Sequence, residues 1–356
     1  MDRLLRDAFA GQRVFVTGHT GFKGAWLIAM LDLLGADTTA YAHAPETEPS
    51  AYERIGGDKL CRSIIGDLRD RAKLTNAINY SKPQIVLHLA AQSLVRRSYR
   101  DPIDTFESNI MGTINVLEAV RHYDQPCAVT LITTDKVYAE TGDGRSYRED
   151  DKLGGYDPYS TSKACCELVA ESYRSSYFHP HKHADHGKSI ATARAGNVIG
   201  GGDWCEDRLV PDVVRAMSRG EPVRVRNPRA VRPWQHVMEP LTGYLLLAAH
   251  QWSKPTAFCK GFNFGPSADD TLEVEQVVQL ALKAWGQGSY VCDVDSNAPH
   301  EAALLRLDST RAHETLGWRP RFDAATAITK TVEWYRQSGN DALAYTRQQI
   351  KEYLAL

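Results

Sequence analysis

The chain has 356 residues with 42 basic and 44 acidic side chains, a balance that points to neither nucleic acid nor an anionic membrane surface as a partner. Its apolar stretches fall far short of the roughly 20 residues a membrane span needs, and MDRLLRDAFAGQRVFVTG lacks the pattern of an export signal. Seven cysteines, at 61, 127, 165, 166, 205, 259 and 292, show no Cys-x-x-Cys spacing; the expectation is reduced thiols, no metal site and a cytoplasmic protein.

Short β-branched runs alternate with longer helical patterns through the first half. Strands are expected at Arg13–Thr17, Thr38–Ala42, Arg62–Ile65, Gln84–Leu89, Ala128–Thr133 and Ser189–Ala195. Helices are expected at Gly24–Leu34, Ile103–His122 and Ser160–Phe178. Such alternation predicts an α/β fold, a doubly wound parallel sheet covered on both faces. After about Gly200 the pattern breaks: GGGDW and segments near Pro228 and Pro233 shorten the elements. Helices recur around Leu241–Ala249, Thr271–Trp285 and Asp323–Gln337. The expected division is a sheet domain over 1–197, rejoined by the chain around 235–265, and a smaller mixed C-terminal region over 198–356. A cleft between them would take substrate.

The segment TGHTGFKG (Thr17–Gly24) lies between the first strand and first helix. Its glycines, Gly18-x-x-Gly21-x-x-Gly24, suit a tight turn, close backbone approach to a pyrophosphate, and amides presented at a helix N-terminus. Thr20, Phe22 and Lys23 complete that loop. The second strand ends Thr39-Ala-Tyr-Ala-His43, with neither the acid that selects NAD nor the base that selects NADP. Asp67, followed by Leu68 in IIGDLRD, is a candidate acceptor for an adenine amino group, or a capping aspartate. Leu89, Ala90 and Ala91 close the fourth strand with residues that let a ligand lie against the backbone.

Two clusters carry the chemistry. Thr134, Asp135 and Lys136 stand where the fifth strand runs out, the end at which open α/β sheets place their sites. Tyr159 and Lys163 follow, one helical turn apart on one face, where the amine would lower the phenol's pKa. A Tyr-x-x-x-Lys spacing alone is weak evidence; its position gives it weight. Thr with Tyr and Lys suits alcohol oxidation. The acid and amine directly after the Thr suggest a second proton transfer, such as loss of water beside a new ketone.

The set TGHTGFKG, HLAAQ, TTDKVY, YSTSK and RAGNVIGGGDW resembles the extended short-chain dehydrogenase/reductase family, and within it the nucleotide-sugar 4,6-dehydratases. Lys136 after the Asp, with RPWQHV (Arg232–Val237) and HEAALLRLD (His300–Asp308), resembles the branch acting on CDP-glucose. The resemblance spans Arg13 to about Trp334. It implies a Rossmann-type fold, NAD as a cofactor retained through the cycle, and no net redox change. Tyr159 would deprotonate the sugar 4-hydroxyl, Thr134 would bind the 4-oxygen, and Lys163 would hold the ribose hydroxyls. Asp135 would act as acid and Lys136 as base in removing water across C5 and C6. A lysine base needs its pKa, ordinarily near 10.4, lowered by about 3 units through burial and neighbouring cations.

Substrate contacts are expected from His19, Gln92, Ser93 and Asn197, and from arginines that would pair with a diphosphate, Arg194, Arg208, Arg232 and Arg311. No residue pattern selects cytosine, so CDP-glucose follows from the resemblance alone. The family's matching helices imply a homodimer through Ile103–His122 and Ser160–Phe178, with pairing into a tetramer left open. The rival readings are a nucleotide-sugar 4-epimerase, which needs no Asp135-Lys136 pair, and a non-catalytic NAD(P)-binding regulator, which needs neither Tyr159 nor Lys163.

Overall fold

The computed structural model describes residues 2–293, 305–339 and 341–355. Seven strands form one parallel sheet: β1 (Arg13–Thr17), β2 (Asp37–Ala42), β3 (Arg62–Ile65), β4 (Ile85–His88), β5 (Cys127–Ile132), β6 (Lys188–Ala195) and β7 (Gly261–Phe264). Their order across the sheet is β7-β6-β5-β4-β1-β2-β3. The winding reverses between β1 and β4, so a crevice opens beyond the carboxyl ends of those two strands, where such sheets bind ligands.

The strands are apolar because both faces are covered. Every residue of β4 and β5 is buried, as expected of central parallel strands. Val14 and Val16 face one core layer and Phe15 the other, the alternation a strand imposes. α1 (Phe22–Leu33) is buried continuously from Gly24 to Met30 and Leu31, because it lies between the sheet and α9 (Ala342–Leu354). The remaining main helices are α2 (Arg71–Ser81), α3 (Gly112–Arg121), α4 (Pro158–Ser176), α5 (Leu209–Arg219), α6 (Met238–Ser253), α7 (Val274–Trp285) and α8 (Ala324–Gln337).

Two expectations are corrected. The helix read as Ile103–His122 is divided: Pro102–Phe106, a wider π-helical turn at Glu107–Met111, then α3. Asn109 sits in that wide turn, bonding Gln92 N, Gln92 O and Ser162 Oγ, so the irregular turn serves a buried polar knot. α4 begins at Pro158, not Ser160, because Asp157 caps it, accepting from Ser160 N at 2.9 Å, with proline in the first turn. α9 had no counterpart in the sequence reading; β7 lies where the chain was expected to rejoin the sheet, around 235–265, though no strand was named there.

After β6 the chain leaves the sheet, then comes back. α6 packs against β5 and β6, tied by buried Gln251, whose amide donates to Val129 O and Ser189 O and accepts from Thr130 Oγ1. β7 then pairs with β6. The excursion and the chain that follows β7 together form a lobe in which α5, α7 and α8 share a core of Val213, Val214, Val277, Val278, Ile328 and Val332. Among the described residues no helix is long and apolar enough to cross a membrane.

Candidate active site

One large cleft, of about 620 Å³, runs from the glycine loop past the ends of β4 and β5 into the lobe. At its sheet end, Gly18 has φ +82° and lies so close to the β4 exit that a Cβ there would fall 2.7 Å from Ala90 N. A Cβ on Gly24 would fall 2.1 Å from Gly18 O. Both positions therefore exclude side chains, and the loop folds flat against α1. Gly21 caps α1 with no side-chain bond to its first amides, which leaves that helix end suited to an anion such as a dinucleotide pyrophosphate. Thr20 Oγ1 donates to His43 O, fixing the loop to the end of β2.

Phe22, Lys23, Leu68, Leu89, Ala90 and Ala91 all line the cleft. Asp67 does too, but its carboxylate is held by Arg69, with bonds of 2.9 and 2.6 Å to Nε and Nη2, and lies 3.3 Å from His43. The Arg69 hydrogen bonds lower it to about 2. An adenine amino group would share an already engaged acceptor.

Thr134 ends the β5 run in extended conformation and caps a single 3-10 turn over Asp135–Val137. Its hydroxyl donates to Asp135 Oδ1 at 2.9 Å. Asp135 is 1% exposed, and its Oδ2 has no partner. Lys136 Nζ lies 3.9 Å from Asp135 Oδ1, with its side chain 24% exposed. The deep burial expected of Lys136 is thus only partial. Tyr159 and Lys163 project from the first turns of α4, both buried. Lys163 Nζ donates to Ile132 O at 3.0 Å, and burial lowers its pKa.

The phenol is not acidified as expected. Burial raises Tyr159 to about 12, against the opposing hydrogen bond with Thr134; Asp135 adds to the rise, and Arg208 is the cation that most opposes it. Lys163, bonded to a backbone carbonyl, is not the leading influence on the phenol.

The substrate candidates divide. Ser93, Asn197, Arg208 and Arg232 line the cleft. Arg208 donates to Asp203 at 2.8 Å and to Ser93 Oγ at 3.1 Å. Gln92 also reaches the wall, but its side chain is occupied by Leu94 and Thr105. His19 is fully buried, bonded to Ser63 at 2.7 Å and edge-on to Tyr52, so it faces β3 and not the substrate. Burial lowers its pKa to about 4. Arg311 is spent on Gly261 O and Asp150, outside the cleft lining. Arg194 is buried against Glu167, Tyr138 and Glu149 O, a structural role. Of HEAALLRLD, residues 300–304 lie outside the described residues.

Sequence reasoning missed Arg96, Arg226 and Gly196. Arg96 and Arg226 line the cleft and both approach Asp207, at 3.4 and 3.6 Å; nothing in their local sequence marks them. Gly196 does carry a signal, standing between Arg194 and Asn197 at a strand end: a Cβ there would sit 2.2 Å from Asp135 Oδ2.

A glycine-loop crevice beside a Thr-Asp-Lys and Tyr-x-x-x-Lys cluster defines a nucleotide-sugar enzyme of the dehydratase–epimerase class. The chain belongs to the GDP-mannose 4,6 dehydratase family, which its residues 15–331 match. It is 44% identical over 353 residues to the CDP-glucose 4,6-dehydratase of Salmonella typhimurium, covering 98% of each chain. Among solved structures, a dTDP-glucose 4,6-dehydratase of Streptomyces venezuelae with NAD and TYD bound aligns with TM-score 0.77 at 24% identity, over 92% of this chain and 98% of that one. A UDP-glucose 4-epimerase of Thermotoga maritima with UDP-glucose aligns with TM-score 0.78 at 22% identity, over 91% and 99%. The fold is common to both activities.

Proposed function

We propose that this chain is an NAD-dependent lyase that converts CDP-glucose to CDP-4-keto-6-deoxyglucose and water. The observation that carries the reading is the convergence of Thr134, Asp135, Lys136, Tyr159 and Lys163 on one cleft beside the glycine loop. The 44% identity to a CDP-glucose 4,6-dehydratase supports the nucleotide.

The residues fit a dinucleotide: Gly18, Thr20, Gly21, Phe22, Lys23 and Gly24 would hold its pyrophosphate, with Asp67, Leu68, Leu89, Ala90 and Ala91 along the crevice. NAD, when bound, supplies the acceptor for hydride from C4 and its later return to C6. Tyr159 takes the proton of the 4-hydroxyl, and Thr134 binds the same oxygen. A phenol held near 12 is a strong base once ionised, so substrate and bound cations must shift that equilibrium. Lys163, anchored on Ile132 O, is placed to hold ribose hydroxyls and to supply positive charge. The 4-ketone acidifies C5–H; Lys136 removes that proton while Asp135 protonates the departing 6-hydroxyl, and Lys136 then gives its proton back to C5 as C6 is reduced. The unpartnered Oδ2 of Asp135 is the acceptor position that a donated proton leaves. Asn197, Arg208 and Arg232 bind the diphosphate.

The 4-epimerase reading is disfavoured because an epimerase has no use for the Asp135–Lys136 pair, and a regulator has none for buried Tyr159 and Lys163. Mass spectrometry after incubation with CDP-, dTDP-, UDP- and GDP-glucose decides it: loss of one water with CDP-glucose supports the proposal, and epimerised product without water loss overturns it. The same assay on Tyr159→Phe should show turnover abolished.

The proposed assembly is a homodimer, with further pairing into a tetramer open to test. Ile103, Met111, Leu168 and Tyr177 are 70, 47, 58 and 51% exposed on or beside the two helical segments in question, an apolar surface suited to a partner. Sedimentation of an Ile103→Glu, Leu168→Glu double variant should give a monomer.

A further inference from the structure

The hexose end of the cleft is fixed by Thr134 and Tyr159, and the diphosphate region by Asn197, Arg208 and Arg232. The nucleoside must lie beyond, where the cleft runs into the lobe. Its floor there is apolar, from Val213, Val223 and Ala230, a surface suited to the flat face of a base. Arg224, the exposed middle residue of a short strand over Val223–Val225, and Arg226, which follows that strand, line the same end.

Arg226 differs from the other cleft arginines. Among the described residues, Arg96, Arg97, Arg208, Arg224 and Arg232 each donate at least one hydrogen bond within the protein. Arg226 donates none. It is held only loosely, 3.6 Å from Asp207 and 3.9 Å from Asp212. Asp207, at φ +59°, also pairs with Arg96 at 3.4 Å. The two carboxylates orient the guanidinium while leaving its N–H fork unspent.

Resting on the CDP-glucose reading above, we infer that Arg226 is the specificity-determining residue for the base, reading the adjacent O2 and N3 of cytosine. A guanidinium has donors only. Cytosine offers two neighbouring acceptors, whereas uracil and thymine present an N3–H that faces the fork donor to donor. Asn227, the neighbouring amide, carries both a donor and an acceptor and pairs with either edge, so it cannot discriminate.

The experiment compares kcat/KM for CDP-glucose and UDP-glucose in the wild type, Arg226→Gln, Arg226→Lys and Arg224→Gln, each checked for native circular dichroism. The wild type should favour CDP-glucose. Both Arg226 variants should shrink the preference by about 10- to 100-fold: Gln pairs with either base edge, and Lys keeps the charge but loses the fork. Arg224→Gln, whose side chain is 77% exposed, should leave the ratio unchanged. An unchanged ratio in Arg226→Gln, with both substrates slowed together, assigns Arg226 to the phosphates and overturns the inference; so does a ratio that collapses in Arg224→Gln. A wild type that dehydrates both nucleotides equally overturns this inference alone, whereas one that dehydrates neither overturns the parent reading with it.

Discussion

Asp135 Oδ2 occupies the space a side chain at Gly196 would need, 2.2 Å from an added Cβ. The carboxylate is fixed from its other oxygen by Thr134 Oγ1 at 2.9 Å. The position of the proposed acid therefore depends on a hydrogen bond from its own turn and on an absent methyl group from the neighbouring strand end.

Gly196→Ala should then act on chemistry more than on folding. Displacing the carboxylate by about 1 Å should lower kcat on the order of 100-fold. Steady-state turnover set beside thermal melting checks this; a variant that turns over like the wild type would show that Asp135 is not the acid.

Asp135→Asn and Lys136→Met separate oxidation from water loss. Tyr159, Thr134 and Lys163 remain, so the first half-reaction should proceed and then stall. Nicotinamide absorbance in single-turnover mixtures should reveal the reduced cofactor accumulating with no dehydrated product. If neither variant leaves the cofactor reduced, the pair has no role between the two hydride transfers.

Glu167 accepts from Thr133, Thr192 and two nitrogens of Arg194, all buried. Glu167→Gln removes the charge opposite a buried guanidinium, which should cost about 3–5 kcal/mol. Urea unfolding monitored by fluorescence measures it. Because the network lies beneath Thr133, a loss of stability with normal turnover per folded molecule is expected.

Three buried histidines set a pH dependence. Burial lowers His19 to about 4, and His88 and His236 to about 3, with Lys163 and Lys330 as lesser causes for the latter two. In the unfolded chain each titrates near 6.5. As pH falls below 6.5 the unfolded state takes up protons that the folded state refuses, so stability present above 6.5 is progressively lost. At pH 5.5 the loss should be ~1.4 kcal/mol per histidine. Urea midpoints at pH 7.5, 6.5 and 5.5 should fall in that order; equal midpoints would mean these side chains gain protons without resistance.

The sheet was legible because its strands are β-branched and its punctuation is glycine. Arg13–Thr17 and Arg62–Ile65 fall where the sequence placed them. The candidate site was legible where chemistry and position coincide, at Thr134, Tyr159 and Lys163, all of which line the cleft. It was not legible where a side chain's partner is distant in sequence. Arg194 and Arg311 carry the charge a diphosphate attracts, yet Glu167 and Asp150 already engage them. His19 sits in the right loop but turns toward Ser63, 44 residues away. The rise in Tyr159 reflects burial that no local spacing reveals. Helix Pro102–Arg121 misled because Asn109, a polar residue inside an apolar period, marks the wide turn only once its partners Gln92 and Ser162 are seen.

The departure of the chain after β6 and its re-entry at β7 has a consequence for how the two halves of the cleft can be handled. The lobe is assembled from chain on both sides of β7, with α5 before that strand and α7 and α8 after it. Cutting the chain before Gly261 strips away an edge strand, the α7 and α8 share of the lobe core, and α9 from its place against α1. The dinucleotide half and the sugar half are thus one unit of inheritance: neither can be trimmed off, swapped or expressed alone without unravelling the other.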